Sequence, residues 1–228
     1  MRGTTGREAV ERILGLDEAG RGSVIGPLVV GGFLVERSDV ARLIAAGARD
    51  SKALTPGTRE RVYLELPSIG ECDAIVLPPR EIDQYVARGR LNELEARAFG
   101  ALVARLGPDE VHADACDPVP RRFARAIARW SGRSVRILAR HHADRDDPIV
   151  GAASIVAKVR RDRAIELLRR QLGDGVGSGY PSDPRTIEFL RERLRAEVTV
   201  PGWVRASWST MQRVKPDRPA CTLDSFEV

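Results

Sequence analysis

Two adjacent carboxylates and a glycine-flanked arginine stand close together near the amino end of this sequence. Asp17 and Glu18 follow the apolar run 13–16, and the tripeptide Gly-Arg-Gly occupies positions 20–22. Like charges held that close in a partly dry site repel each other unless a cation lies between them, and a divalent metal is the usual cation. The tripeptide can bring backbone N–H groups and a guanidinium up to a phosphodiester. Together these residues indicate metal-assisted phosphate chemistry.

Two further acids stand where other predicted strands end. Asp114 closes the fourth predicted strand, and Asp144 lies between the fifth strand and a helix that begins at Pro148. Because chemistry in α/β sheets gathers at strand ends, these acids could converge with the first pair. Four oxygen donors suit Mg²⁺ or Mn²⁺ rather than zinc, and two such ions roughly 4 Å apart would clamp a phosphodiester. Spacing alone leaves four nearby competitors open: Asp109, Asp117, Asp146 and Asp147.

Lysine is rare in this chain. Of the 37 basic residues, only Lys52, Lys158 and Lys215 are lysines, and the rest are arginines. The bias itself reflects coding composition, but it marks the lysines as candidates for positions that need a compact ammonium. Lys52 and Lys158 both fall inside motifs described below, so we predict that they hold phosphates.

The elements that must position these residues follow from hydrophobic periodicity. Strands are predicted at 11–17, 27–35, 72–77, 111–114 and 134–139. Helices are predicted at 38–46, 57–66, 91–106, 120–130, 148–172 and from about 184 to 195. Strands alternating with helices predict an α/β fold with a mixed five-stranded sheet flanked by helices. We expect one catalytic domain over residues 1–213, with a helical C-terminal part from about residue 185, and a mobile tail at 214–228.

Composition limits the protein class. The chain has 228 residues, a net charge of +5 and three widely spaced cysteines. The positive excess fits a polyanionic partner, and the unpaired cysteine spacing is typical of free thiols in a reducing compartment. There is no amino-terminal signal pattern and no apolar run of about 18 residues. These features predict a cytoplasmic protein that has no membrane partner and acts as a monomer.

Six motifs occur in an order that identifies a family. They are Asp17-Glu18-Ala19-Gly20-Arg21-Gly22, Asp50-Ser51-Lys52, Ala113-Asp114, Ala143-Asp144, the stretch 152–162 and Gly177-Ser178-Gly179-Tyr180-Pro181-Ser182-Asp183-Pro184. The chain resembles the type 2 ribonucleases H, the ribonuclease HII family, from about residue 13 to Trp208. The sequence Gly-Tyr-Pro-Ser-Asp-Pro is similar to the corresponding motif in the archaeal branch of the family. The resemblance implies a ribonuclease H-like sheet with a helical C-terminal part.

The resemblance also implies an activity and a ligand set. Members hydrolyse RNA in RNA/DNA hybrids and incise duplex DNA 5′ to an embedded ribonucleotide, leaving a 3′-hydroxyl. The positions that match the family's catalytic and metal-binding acids are Asp17, Glu18, Asp114 and Asp144, for two Mg²⁺ or Mn²⁺ ions. Asp144 is preferred over Asp146 and Asp147 because Ala-Asp followed by a proline-initiated helix fits the family pattern.

The remaining motif residues are expected to bind the substrate. A protein distinguishes RNA from DNA through the 2′-hydroxyl, and the backbone at positions 20–22 could contact it. Tyr180 would stack on the sugar beside the ribonucleotide, while Ser154 would add a hydroxyl next to the phosphates. The predicted substrate-binding set is Gly20, Arg21, Gly22, Lys52, Ser154, Lys158 and Tyr180.

The carboxyl-terminal segment 220–227 resembles the sliding-clamp-binding peptide of archaeal relatives. Ala220 stands at the glutamine position and Glu227 at the final aromatic position, so the match is degenerate. Leu223 and Phe226 could still anchor in an apolar groove. The predicted partners are therefore RNA/DNA hybrid, ribonucleotide-containing duplex DNA and, through these two side chains, a sliding clamp.

Two other functions are compatible with part of the pattern. A dinucleotide-binding oxidoreductase would use Gly20, Gly22 and Gly26 as a Rossmann turn, but the acids at 17 and 18 would repel a pyrophosphate. In a non-catalytic nucleic-acid-binding module, convergent acids would repel the nucleic acid in the absence of metal. His141 and His142 could suggest a general base, but a metal-activated water needs no histidine. The plainer interpretation is that they flank the strand end and assist product release or have no role.

Overall fold

The computed structural model describes residues 11–48, 54–196 and 199–214. The strands in these ranges are β1 Arg12–Ala19, β2 Leu28–Glu36, β3 Glu71–Leu77, β4 Glu110–Asp114 and β5 Arg136–Arg140. The α-helices are α1 Val40–Ala45, α2 Pro56–Glu65, α3 Pro79–Val86, α4 Leu91–Leu106, α5 Pro120–Ser131, α6 Ala143–Asp146, α7 Pro148–Leu172, α8 Pro184–Ala196 and α9 Thr210–Val214.

The strands form one mixed sheet, as predicted. Their order is β3-β2-β1-β4-β5, with β1, β2 and β3 antiparallel to one another and β4 and β5 parallel to β1. The loop after β1 leads into the antiparallel strand β2, whereas a dinucleotide-binding turn leads into a helix. The fold therefore excludes a Rossmann dinucleotide-binding turn at this loop.

Apolar side chains cover both faces of the sheet. One face packs on α4 and α5 through residues such as Leu16, Phe99 and Phe123. The opposite face packs on α7 through residues such as Phe33 and Val156. A third cluster joins the loop after β1 to the C-terminal helices: Val24, Ile25, Ile165, Val176, Phe189, Leu190, Leu194, Val204, Met211 and Val214. This cluster makes the C-terminal helical part a wall beside the carboxyl end of β1.

Two glycines allow α7 to lie directly on the sheet. A Cβ at Gly15 of β1 would collide with the carbonyl of Ile149, and one at Gly31 of β2 would collide with the carbonyl of Ala153. The close approach brings the middle of α7 next to the end of β1. Residues of the stretch 152–162 are thereby carried to the acids that follow β1.

We expect Gly31→Ala to lower the free energy of unfolding by about 1–3 kcal/mol, because the added methyl meets backbone that cannot move aside. Its Cβ would also lie 2.7 Å from the backbone nitrogen of Ala157. Denaturant unfolding measures the change. Gly57→Ala is the matched control, since nothing lies within 4 Å of a Cβ there. An equal loss in both variants would contradict this account of the packing.

The predicted elements agree with the structure over most of the described residues. The helices at 91–106 and 148–172 have the predicted bounds, and the prolines at the first turn of α2 and α7 lie where a missing N–H costs nothing. Helix α3 was not predicted, because Pro78-Pro79 suggested a break. Pro79 instead occupies the first helical position. The short helices α6 and α9 were also missed.

No helix in the described ranges is long and apolar enough to cross a membrane. Cys72 and Cys116 are free thiols. Lys52, with its motif 50–52, and the tail that carries Leu223 and Phe226 lie outside the described residues.

Candidate active site

The register of β1 against β4 brings the first two acids together. Leu16 pairs with Ala113 in the parallel ladder, so the next residues, Asp17 and Asp114, stand side by side at the carboxyl ends of their strands. The Asp17 residue is only 4% exposed. Its Oδ1 accepts a hydrogen bond from the backbone N–H of Glu18 at 2.7 Å. Strand pairing thus places a buried acid next to a half-buried one.

Asp144 reaches the same place from α6. The backbone N–H of Ala143 donates to Asp114 Oδ1 at 3.0 Å, which ties the start of α6 to the end of β4. Asp144 is 2% exposed. It lines a cleft of about 440 Å³ together with Asp17, Glu18 and Asp114. All four predicted acids therefore border one cleft, although Asp114 and Asp144 lie about 100 or more residues from Asp17 in the sequence.

The competing acids have other partners. Asp147 accepts from the backbone N–H of Ile149 at 3.0 Å as the N-cap of α7, and it contacts His112 Nδ1 at 2.5 Å. Asp117 forms an ion pair with Arg122 at 2.8 Å. Asp109 accepts from the backbone of Arg12, and Asp146 is exposed. None of the four borders the cleft that the other acids line.

Burial and mutual repulsion disfavour the charged forms of Asp17 and Glu18. Burial raises the pKa of Asp17 well above its usual range, and the neighbouring Glu18 raises it further, while a hydrogen bond from Ser154 opposes the shift. Burial also raises the pKa of Glu18, with Asp114 adding to the rise and Arg21 opposing it. Glu18 Oε2 is buried, with no hydrogen-bond partner in the described part of the chain. A cation would relieve both the repulsion and the unmatched oxygen.

The donor set fits hard divalent ions. Carboxylate oxygens are the preferred protein ligands of Mg²⁺ and Mn²⁺. As the side chains stand, no three His, Cys, Asp or Glu residues in the described ranges form a ready-made ion cage.

The two glycines of the Gly-Arg-Gly tripeptide have different requirements. Gly20 has φ +87°, and a Cβ there would lie 2.8 Å from the carbonyl oxygen of Pro27. Gly22 is exposed and a Cβ there would meet nothing within 4 Å. The conformation of the loop therefore requires glycine at position 20. The open side of Gly22 is free for an approaching ligand, which is the use that the sequence suggested for both.

The Arg21 side chain is held by α4. Its guanidinium forms an ion pair with Glu95, which is 0% exposed, and Nη2 donates to Asn92 Oδ1 at 2.7 Å. Asn92 in turn donates to Asp117 at 3.1 Å. Arg21 still borders the cleft, with a side chain that is 32% exposed. Its guanidinium is therefore anchored on one side before any phosphate arrives.

The loop after β1 and the loop that carries Tyr180 are bonded to each other. The carbonyl of Gly179 accepts from the backbone N–H groups of Val24 at 2.8 Å and Ile25 at 3.1 Å. It also accepts from the Ser23 hydroxyl at 2.9 Å. These bonds fix the two motif loops relative to each other across more than 150 residues of sequence.

Tyr180 borders the cleft with a cation over its ring. The Arg161 guanidinium lies 4.5 Å from the ring centroid. Arg161 also donates to the carbonyl of Ser178 at 2.5 Å and to the Ser23 hydroxyl at 3.2 Å. The half-buried tyrosine therefore has a fixed support, which suits a stacking surface.

The remaining predicted residues take different positions. Lys158 borders the cleft, as do Arg59 and Asp162, which the sequence did not single out. Ser154 is fully buried, its hydroxyl bonds Asp17, and it does not border the cleft. His141 and His142 are exposed and do not border the cleft.

Sequence reasoning missed Glu95 and Arg205. Glu95 could have been found, because it interrupts the apolar stripe of α4 with a charge that needs a buried partner. Arg205, whose contacts are described below, had no such signal. It is one of the many arginines in a chain that is nearly free of lysine.

Comparison with known proteins gives a consistent result. The ribonuclease HII family model matches residues 14–211. The ribonuclease HII of Methanothrix thermoacetophila is 44% identical over 204 residues, which cover 89% of this chain and 97% of that protein. The ribonuclease HII of Pyrococcus horikoshii is 40% identical, over 94% of this chain and 99% of its own length.

Solved structures agree. The ribonuclease H2 of Pyrococcus horikoshii superposes with a TM-score of 0.83 at 41% identity, covering 90% of this chain and 97% of that one. The ribonuclease HII of Archaeoglobus fulgidus, solved as a complex with PCNA, has a TM-score of 0.79 at 40% identity, over 86% and 94% of the two chains. A Bst ribonuclease HIII solved with Mn²⁺ has a TM-score of 0.72 over 91% of this chain and 70% of that one, but at 20% identity it shows the fold alone.

Proposed function

Because the chain belongs to the ribonuclease HII family, we propose that it hydrolyses the RNA strand of RNA/DNA hybrids and incises duplex DNA 5′ to an embedded ribonucleotide. The products would carry 3′-hydroxyl and 5′-phosphate ends. The family and its curated relatives make the chain a type 2 ribonuclease H, and hence a hydrolase. The proposal adds the substrate choice, the cleavage position and the mechanism.

One observation carries the proposal: the four acids, the Gly-Arg-Gly loop and Tyr180 border the same cleft. A nuclease of this kind needs an acidic centre for metal, a group that reads the sugar and cations that hold phosphate. The cleft brings these together from β1, β4, α6, α7 and the loop before α8. A bound cation would offset the burial and the mutual repulsion that raise the pKa values of Asp17 and Glu18.

Asp17, Glu18, Asp114 and Asp144 would hold two divalent ions, Mg²⁺ or Mn²⁺. When bound, such a pair activates a water for attack and stabilises the charge on the leaving oxygen. Ser154 keeps the Asp17 carboxylate oriented by its hydrogen bond. Ala143 does the same for Asp114 through its backbone N–H.

The protein would recognise its substrate through the sugar. Backbone N–H groups of Arg21 and Gly22 would bind the 2′-hydroxyl, which is the group that separates RNA from DNA. Tyr180, supported by Arg161, would stack on the neighbouring sugar. Lys158 at the cleft, and Lys52 in the motif 50–52, would hold phosphates as point charges.

A sliding clamp is a further proposed partner. The Archaeoglobus fulgidus relative was solved bound to PCNA. In this chain the corresponding contact would be made by Leu223 and Phe226, which would fill an apolar groove as the only apolar anchors of a degenerate peptide.

A cleavage assay tests the proposed function. We expect a duplex DNA that contains one ribonucleotide to be cut once, on the 5′ side of that ribonucleotide, with Mg²⁺ or Mn²⁺ and not with EDTA. A polymerase that extends the upstream product would verify its 3′-hydroxyl. Absence of cutting on both this duplex and a long RNA/DNA hybrid, with either metal, would refute the proposal.

A further inference from the structure

Arg205 is a charged side chain at 0% exposure, and it belongs to the C-terminal segment that precedes α9. Its guanidinium contacts the loop after β1 at three points. Nη2 donates to the carbonyl of Gly20 at 2.7 Å, Nη1 to the carbonyl of Arg21 at 2.9 Å and Nε to the carbonyl of Gly26 at 3.0 Å. A planar fork of fixed donors thus binds a fixed set of carbonyls, which a lysine could not match.

The segment that carries Arg205 is itself fixed. Its backbone N–H donates to the carbonyl of Val24 at 2.9 Å. The next two backbone N–H groups, of Ala206 and Ser207, donate to the carboxylate of Asp83 at 2.9 and 3.0 Å. The ring of Trp208 lies 4.8 Å from the guanidinium. Arg205 and its segment therefore connect the loop after β1 to α3 by hydrogen bonds.

The orientation of two peptide planes follows from these contacts. In a trans peptide the carbonyl and the N–H of the following residue point in opposite directions. Since the carbonyls of Gly20 and Arg21 point at Arg205, the N–H groups of Arg21 and Gly22 point away from it. Both residues border the cleft. In the described part of the chain, neither N–H donates to another main-chain group.

We propose that Arg205 is a positioning residue that aims the Arg21 and Gly22 N–H groups into the cleft and so sets the preference for a ribonucleotide over a deoxyribonucleotide. The inference rests on the proposed function, in which these N–H groups read the 2′-hydroxyl. It assigns the preference to a side chain that never touches the substrate.

The test compares two duplexes of one sequence, one with a single ribonucleotide and one entirely of DNA. Dissociation constants for both are measured with Ca²⁺ in place of Mg²⁺ to slow cutting, and KM and kcat are measured with Mg²⁺. For Arg205→Lys we expect the ribonucleotide preference to fall about 10-fold, the size of one hydrogen bond. Affinity for the all-DNA duplex should stay unchanged because the phosphate contacts remain.

Arg193→Lys is the matched control. Arg193 also lies 5.5 Å from an aromatic ring, that of Phe189, and donates to a carbonyl, that of Leu172 at 3.3 Å, but it does so away from the loop. Its variant should keep the full preference. An Arg205→Lys enzyme that is folded and keeps the preference would overturn the inference, as would one that loses affinity equally for both duplexes.

A second variant serves if Arg205→Lys does not fold. Asp83→Ala frees the segment that carries Arg205 without touching the loop, so a selective loss of the preference is expected there too, and an unchanged preference would overturn the inference. Measurements on the wild-type protein separate the two proposals. If the wild type neither cuts nor prefers the ribonucleotide duplex, the proposed function itself fails. If the wild type cuts normally and the Arg205 variant keeps the wild-type preference, only the role of Arg205 is refuted.

Discussion

Asp17→Asn is expected to lower turnover by about 1,000-fold, equivalent to about 4 kcal/mol of transition-state stabilisation, while leaving the fold intact. The amide has the same shape as the carboxylate and can keep the hydrogen bond to Ser154, but it cannot supply the charge that a divalent ion requires. Duplex affinity should change little, because phosphate and sugar contacts are made by other residues. Single-turnover kinetics and a binding titration on the same duplex measure both.

Stability offers a second readout of the same variant. Burial and Glu18 raise the pKa of Asp17, so its charged form is disfavoured in the folded protein at neutral pH. Asparagine removes that cost, and we therefore expect the melting temperature in EDTA to rise. Added Mg²⁺ should then stabilise the wild type more than the variant. A normal turnover number, or a variant that gains as much from Mg²⁺ as the wild type, would exclude Asp17 as a ligand.

The exposed Asp146 provides the control for these experiments. Asp114→Asn and Asp144→Asn should behave like Asp17→Asn, because both acids border the cleft. Asp146→Asn should keep wild-type turnover. The reverse result for residues 144 and 146 would mean that the fourth ligand is assigned to the wrong acid.

Tyr180→Ala is expected to impair cutting at a single embedded ribonucleotide by about 5- to 150-fold, the range that corresponds to a stacking free energy of about 1–3 kcal/mol. Cutting within a long hybrid should suffer less. A lone ribonucleotide offers one 2′-hydroxyl and one register, whereas a hybrid offers neighbouring hydroxyls and other registers for the scissile phosphate. The ratio of kcat/KM on the two substrates is the quantity to measure.

Tyr180→Phe separates the ring from the hydroxyl. The ring and its contact with Arg161 remain in that variant, so we expect it to behave nearly as the wild type. If Tyr180→Ala loses the same factor on both substrates, the tyrosine only supports the loop beside Pro181 and does not read the junction.

The sequence was sufficient to predict β1, β4 and α7, although it missed α6, which carries Asp144. Asp17 lies near the carboxyl end of the largely apolar strand β1, Asp114 ends the short strand β4, and α7 begins at a proline and shows a continuous helical period to Leu172. In both cases the signal is local, since a few neighbouring residues determine the element. Convergence of the acids then followed from the general behaviour of strand ends in α/β sheets.

What could not be predicted depends on contacts between distant residues. Ser154 was expected beside the phosphates, and the structure buries it fully, with its hydroxyl bonded to Asp17 and away from the cleft lining. Whether an arginine is exposed or buried is decided by the loop that packs on it. No local pattern could therefore distinguish Arg205 from the other arginines of the chain.

The contact between Arg205 and Gly20 has a consequence for biosynthesis, because the two residues are 185 positions apart. A ribosome adding roughly 5–20 residues per second delivers Arg205 some 10–40 s after Gly20. For about the last third of that interval, after Asp144 has been added, the nascent chain carries all four acids, but the loop next to them lacks its three carbonyl contacts. If Arg205 acts as proposed, sugar discrimination is among the last properties that the newly made chain acquires.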